Sequence, residues 1–383
     1  MEKSLSHGQN LPENVFVLDF TKPRGGSDPA YPVVKQMLTA NGYLSQFVNF
    51  MTYAHDNPRD QKRSSIILQG VARQILQKTG IRLWWVNIPK ALPTPTVFIG
   101  VDVFHAPRVY DPVAKKRVAK ASCAAIIVQV VRHSEDQKSS IELYSQTYDR
   151  EPGKEYELGD ALKSTVSNAL RELDVSPMSC IVWRDGIGDS AFDTAAAEEI
   201  QAIRAGLNGD KAVGGGNPDR DVPLSYIVCQ KRIDTKFLSR GVPNEPDGKY
   251  GAPSGTLVQG IQGLDYKTFY INGRAPPYST PKPVRFVVVR QDSELTNVSL
   301  PNLTWDLCHD YPNWVRFMWQ HECLHLLIHK PSEFVCVSLL QTGPIKVPSV
   351  CQMAHKLAEL GGGFADCGRN IHASKLKNTI HFL

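Results

Sequence analysis

At one domain per ~150 residues, a chain of 383 residues predicts two or three domains, each long enough to bury its own core. Hydrophobic residues make up 42 % of it and charged residues 21 %, and no apolar run approaches the ~20 residues that cross a bilayer, so membrane-spanning, fibrous and wholly disordered classes are excluded. The 43 basic and 38 acidic residues leave a net charge of +5, which permits a polyanionic partner without requiring one. The opening MEKSLSHGQNLPENVF lacks the apolar stretch of a secretory signal and the Arg-rich run of a transit peptide, so the expectation is an intracellular protein, cytoplasmic or nuclear and not secreted. Eight cysteines without a C-x-x-C pair read as small core residues rather than a disulfide framework.

In chain order, Val15-Phe-Val-Leu18 reads as a buried strand, and Ser64 reads as the N-cap of a helix carrying Ile67, Val71 and Ile75 that stops near Gly80. Pro and Gly clusters at 22–32, 89–95, 213–218, 243–254 and 275–283 mark loops. The cluster at Pro89–Pro95 is the best boundary, which leaves an α/β half-domain of fewer than 95 residues before it. Beyond it come strand-like runs at Val97–Phe104, Cys123–Val131, Ile141–Tyr148, Cys180–Trp183, Leu224–Cys229 and Val284–Val289. Leu158, Leu162, Val166, Leu170 and Leu173 share one helical face between them. A sheet with interleaved helices is the expected fold class, α/β.

Within these elements, Asp102 sits inside the apolar run Val97–Phe104, where a carboxylate is costly unless a metal or a donor compensates it. Asp185 repeats the arrangement at the end of Ile181-Val-Trp-Arg-Asp185. On neighbouring strands the two would form a divalent-metal site suited to phosphoryl chemistry. The alternative for each is a turn-capping aspartate or a partner for a cation such as Arg184. His355 lies on a helix with Val350, Ala354, Leu357 and Leu360, ended by Gly361-Gly-Gly363, and gains meaning only beside the aspartates. Tyr31 and Lys35 are four apart, as are Lys78 and Arg82; a tyrosine face with several cations can hold a terminal phosphate and stack its base, or can be solvated surface charge. His321-Glu-Cys-Leu-His325 matches H-E-x-x-H, with His329 one helical step further, a zinc-protease pattern that also occurs by chance.

Taken together the motifs resemble the MID and PIWI modules of the Argonaute/Piwi family, closer to its Piwi branch. The resemblance rests on Val86-Asn-Ile-Pro89, Ile99-Gly-Val-Asp-Val-Phe-His105, Trp183-Arg-Asp-Gly-Ile-Gly-Asp189 and Gln230-Lys-Arg-Ile-Asp-Thr-Lys-Phe237. It continues through Gly255-Thr-Leu-Val258, Leu307-Cys-His309, Tyr311-Pro-Asn-Trp314 and Ile345-Lys-Val-Pro-Ser-Val-Cys-Gln-Met-Ala-His-Lys-Leu357. It implies a partial Rossmann-like MID domain over 1–93 and, over 94–383, an RNase H-like PIWI domain with a mixed central sheet and flanking helices. It further implies small-RNA-guided silencing by an RNA endonuclease that cuts complementary target RNA. Asp102, Asp185 and His355 would hold Mg2+ or Mn2+, and Glu157 of Glu157-Leu-Gly-Asp-Ala-Leu162 would complete the catalytic set, with Glu155 as the less favoured choice. For the guide 5'-phosphate the resemblance implies Tyr31, Lys35, Ser45-Gln46, Lys78, Arg82 and the carboxylate of Leu383.

Two departures from the family pattern qualify this. Fewer than 95 residues precede the PIWI-like part, which implies a truncated Argonaute, a fragmentary gene model or half of a split system in which another protein supplies the N and PAZ functions. The segment 315–341 separates Asn313-Trp314 from Thr342-Gly-Pro-Ile-Lys-Val-Pro348, which relatives join directly. It reads as an insertion, either a retained intron or a genuine loop, and it contains the whole H-E-x-x-H pattern. Beside guided cleavage, a guide- and target-binding module that does not cut and a zinc metalloprotease using His321, Glu322 and His325 are the other readings.

Overall fold

A computed structural model describes residues 15–20, 30–49, 58–81, 83–84, 86, 88–105, 109–111, 115–118, 122–132, 140–151, 157–209, 221–238, 251–261, 265–273, 280–311, 344–362, 376, 378–380 and 382. Arg82, Glu155, Leu383, the insertion 315–341 and its H-E-x-x-H histidines therefore lie outside the described residues. The first elements are strand β1 (Val15–Phe20), helix α1 (Ala30–Ala40), strand β2 (Leu44–Asn49) and helix α2 (Pro58–Lys78). Strands β1 and β2 pair in parallel as a sheet of their own, Val15 opposite Leu44. Helix α2 begins at Pro58, six residues before the expected cap Ser64, which is instead buried inside the helix. The proline is the stronger start signal, because its fixed φ and missing N–H suit the first helical turn.

The remaining strands are β3 (Thr96–His105), β4 (Val109–Asp111), β5 (Lys116–Val118), β6 (Ser122–Arg132), β7 (Ser140–Arg150), β8 (Ser179–Asp185), β9 (Leu224–Gln230), β10 (Leu257–Gln259), β11 (Lys267–Ile271) and β12 (Val284–Gln291). Eight of them form one mixed sheet in the order β10-β11-β12-β9-β8-β3-β6-β7. Strand β3 is antiparallel to β6 but parallel to β8, and β8 is parallel to β9. Helices α3 (Gly159–Glu172) and α4 (Ala197–Asn208) cover one face; α5 (Leu300–Leu307) and α6 (Ser349–Gly362) cover the other.

Because both faces are covered, the central strands are buried on both sides and read as unbroken apolar runs, as at Val97–Val101 and Cys180–Trp183. Alternation along each strand sorts the residues between the faces. Phe98 of β3, Ile181 and Trp183 of β8, and Ile227 and Cys229 of β9 face α5 and α6. Val97, Ile99 and Val101, with Cys180, Val182, Tyr226 and Val228, face α3 and α4. Trp183, fully buried, also hydrogen-bonds Thr304 of α5 through Nε1 at 3.1 Å. The expected face of α3 is present: Leu162 and Val166 are buried within it, and Leu158 and Leu173 are buried at its two caps.

Candidate active site

Continuing the parallel register of β3 and β8, in which Val101 lies opposite Arg184, places Asp102 beside Asp185 at the same end of adjacent strands. By alternation Asp102 shares the face of Phe98 and Asp185 that of Ile181 and Trp183, so both carboxylates stand on the α6 side. There His355 comes down from the middle of α6, its Nδ1 2.6 Å from Asp102 Oδ2. Asp102 Oδ1 accepts the backbone N–H of Val103 at 2.8 Å. Lys231, directly after β9, forms an ion pair with Asp185. Asp102 and Asp185 are 6 % and 4 % exposed, so water does little to screen these charges.

The electrostatics of the two aspartates diverge. Burial alone would raise Asp102, but the His355 hydrogen bond and the Lys231 and Arg184 charges outweigh it and hold its carboxyl below the usual range. Burial also raises Asp185, and there the neighbouring Asp102 charge adds to it, so that despite Lys231 its carboxyl is pushed upward. Two adjacent carboxylates of which one resists ionisation gain from a divalent cation, and two carboxylates with one imidazole suit Mg2+ or Mn2+. The residues present therefore fit the metals that the resemblance implies. Among the described residues, no three carboxylate, imidazole or thiolate groups already converge as a formed metal cluster; His355 and Asp102 meet as hydrogen-bond partners.

Behind this face, on the α4 side of the sheet, Arg184 supports Asp185. Its Nε lies 3.2 Å from both carboxylate oxygens of Glu199, its Nη1 bonds the carbonyl of Asp185, and Tyr226 donates its hydroxyl to Glu199. Arg184 and Glu199 are each 1 % exposed, and Tyr226 is wholly buried. The arginine is thus an internal ion-pair partner, as one alternative anticipated, but its carboxylate is Glu199. Sequence reading missed Lys231, Glu199 and Tyr226 as parts of this region. A lysine immediately after an apolar strand run was the one available signal, and it becomes meaningful only once β9 is known to lie beside β8.

Glu157 is exposed, precedes α3 with a left-handed φ of +68°, and is not among the principal charges acting on either aspartate.

A second cluster forms between α1, β2 and α2. Lys35 Nζ bonds Ser45 Oγ at 3.1 Å, and Lys78 Nζ bonds the Ser45 carbonyl and Gln46 Oε1, both at 2.9 Å. The Gln46 amide in turn donates to Gln74 Oε1 at 3.0 Å. Tyr31 packs its ring edge-to-face on Phe47, centroids 4.8 Å apart, and stays partly exposed. Burial lowers Lys35 to about 8, and burial together with the Lys35 charge lowers Lys78 well below the usual lysine range. Four of the expected phosphate-pocket residues, Tyr31, Lys35, Gln46 and Lys78, are therefore brought into one region.

Comparison with known proteins agrees with this architecture. The family model described as "Piwi domain" matches residues 20–365. The Piwi-like protein 1 of Danio rerio is 28 % identical over 319 residues, 82 % of this chain and 30 % of that protein. The chain thus spans about a third of the length of such relatives. The crystal structure of the C-terminal lobe of a budding yeast Argonaute superposes with a TM-score of 0.64 at 18 % identity, covering 98 % of this chain and 70 % of that one. Kluyveromyces polysporus Argonaute with a guide RNA gives 0.68 at 17 %, covering 98 % and 42 %. With the mixed eight-stranded sheet matching an Argonaute C-terminal lobe and the family model spanning most of its length, the chain belongs to the Piwi domain family.

Proposed function

We propose that this chain holds the 5' end of a small guide RNA and cleaves complementary RNA in gene silencing by a metal-dependent endonuclease reaction. Residues 1–93 would form the guide-end domain and 94–383 the PIWI domain. The observation that carries the reading is the pairing of Asp102 with Asp185 on adjacent parallel strands, buried, with His355 hydrogen-bonded to the first. Membership of the family and the fold shared with an Argonaute solved with a guide RNA support it.

In this reading Asp102, Asp185 and His355 hold the divalent ions, Mg2+ or Mn2+, which when bound supply Lewis acidity toward the attacking water and the leaving oxygen. The chain's own residues prepare the site. Arg184, anchored on Glu199, holds the Asp185 backbone; Asp102 accepts from Val103 and keeps its charge. Lys231 offsets the paired negative charge that would otherwise repel a phosphodiester. Glu157, just before α3, is assigned as the fourth acidic group. At the guide end, Lys35 and Lys78 bind the 5'-phosphate with Gln46, Tyr31 stacks on the terminal base, and Arg82 and the Leu383 carboxylate complete the pocket.

The test is cleavage of a labelled complementary RNA by purified protein loaded with a 5'-phosphorylated guide in Mg2+ or Mn2+, with Asp185→Ala as control. A single cut at a guide-defined position, abolished in the variant, is expected. Guide-dependent binding with no cut would replace the nuclease by a silencing module that only binds; absence of both would leave the family and fold without this function.

A further inference from the structure

Strands β4 and β5 form a two-stranded antiparallel ribbon between the end of β3 and the start of β6. The stretch 106–121 that contains it has five basic residues, Arg108, Lys115, Lys116, Arg117 and Lys120, against one acidic residue, Asp111. It therefore carries +4 of a whole-chain net charge of +5. Register places Tyr110 opposite Arg117, Val109 opposite Val118 and Asp111 opposite Lys116, so Tyr110 and Arg117 share one face of the ribbon. Lys115, Lys116 and Arg117 are exposed, and so are Tyr110 at 58 % and Val118 at 39 %. An aromatic ring and an aliphatic side chain left open among concentrated cations suit a surface that stacks and pairs with a partner rather than a merely solvated turn.

The location identifies the partner. His105 lies opposite Ser122, and a 2.7 Å contact between His105 Nδ1 and Ser122 Oγ closes the base of the ribbon. Asp102 is three residues earlier on β3, about 10 Å along the strand. The ribbon therefore leaves the sheet at the same end as Asp102 and Asp185, whose buried carboxylates by themselves repel a polyanion.

We propose that this ribbon is an RNA-binding arm that grips the sugar-phosphate backbone of the guide–target duplex next to the aspartate pair. The inference rests on the nuclease reading above and adds a contact surface to it. Lys115, Lys116 and Arg117 meet phosphates, and Tyr110 lies against the sugar edge. The wide, shallow minor groove of A-form RNA admits such contacts without any reading of base sequence.

The test measures binding of the full chain to a 20-base-pair RNA duplex with 5'-hydroxyl ends, by fluorescence anisotropy across a salt series. The triple variant Lys115→Gln, Lys116→Gln, Arg117→Gln is expected to weaken duplex binding at least tenfold at about 150 mM salt and to make the log–log salt slope shallower by about 3. Its melting temperature and its affinity for a single-stranded 5'-phosphorylated guide should stay at wild-type values. Duplex affinity within twofold of wild type overturns the proposal. So does wild-type protein that binds phosphatidylserine vesicles through these residues and no RNA duplex, since the arm would then be a membrane contact. Loss of the preference for 5'-phosphate over 5'-hydroxyl guides in the wild-type protein would count against the guide pocket alone, because the arm is assayed without a 5'-phosphate.

Discussion

Lys35 and Lys78 share the Ser45 carbonyl as an acceptor although each is nearly fully buried. Neutral oxygens hold both ammonium groups, and burial brings Lys35 down to about 8. In the unfolded chain the same lysine returns to its ordinary value of 10.5. Between these values the unfolded state binds a proton that the folded state has released, so the Lys35 contribution makes stability rise with pH through that window. A dianionic phosphate between the two lysines reverses the situation, because its charge favours both ammonium forms. Binding of a 5'-phosphorylated nucleotide near pH 8.5 should therefore take up as much as about one proton at Lys35, to which Lys78 adds, read by calorimetry in two buffers of different ionisation enthalpy. Equal apparent enthalpies in both buffers would mean that the phosphate does not meet Lys35. The Asp102–His355 hydrogen bond teaches the same lesson at the other site: the residue types were visible in the sequence, but the Asp102 carboxyl is held below its usual range by a partner 253 positions away.

At the scale of elements, β3 and α6 decide whether Asp102 and His355 meet. Gly100 lies two residues before Asp102, and a methyl group there would overlap the Val350 carbonyl at the start of α6. Near the other end of the helix, Gly361 and Gly362 leave room for Cys123 and Phe104. The helix thus lies close against β3 and β6 at both ends, with His355 between. Gly100→Ala should push α6 outward and destabilise the protein by about 1–3 kcal/mol, as overpacked cores are. It should also weaken Mn2+ binding severalfold by moving His355 away from Asp102. Gly188, with nothing within 4 Å of an added methyl, supplies the control: Gly188→Ala should shift urea unfolding by less than about 0.5 kcal/mol. Wild-type unfolding and Mn2+ affinity in Gly100→Ala would show that the helix can give way there. Strands β3, β6, β8, β9 and β12 were legible because burial on two faces writes them as continuous apolar runs. Strand β2 was not, because Leu44-Ser-Gln-Phe-Val-Asn49 mixes polar and apolar residues; β5 and β10 have no buried residue at all, and β11, though buried over Thr268–Ile271, is too short a run to stand out. The candidate site was legible as a set of residues, and only the parallel pairing of β3 with β8 turned Asp102 and Asp185 into neighbours.

Over the whole molecule, the N-terminal part, α5 and the start of α6 meet at one junction. Trp84 Nε1 donates to the His309 carbonyl at 3.2 Å, and the His309 ring stands edge-on to Trp305 of α5. Across the insertion, the Ile345 N–H reaches the Cys308 carbonyl at 3.0 Å and Ser349 Oγ lies 3.3 Å from Asp310 Oδ2. The chain is therefore already closed at this point, whatever lies between Tyr311 and Pro344. Removing Val315–Gln341 leaves Pro312, Asn313, Trp314, Thr342 and Gly343 to join those two residues, five where there were 32. Loop-closure entropy scales with the logarithm of length, so this shortening favours the folded state by at most about 1.6 kcal/mol. The deletion variant should fold, with a melting temperature at or slightly above that of the full chain, and should keep its affinity for Mn2+ and for RNA duplex, since Asp102, Asp185, His355 and the β4–β5 ribbon all lie outside it. Thermal unfolding followed by circular dichroism decides the matter. A deletion variant that unfolds well below the parent would make 315–341 part of the core that holds α5 against α6, and the family-like joining of Trp314 to Thr342 would then be the wrong description of this chain.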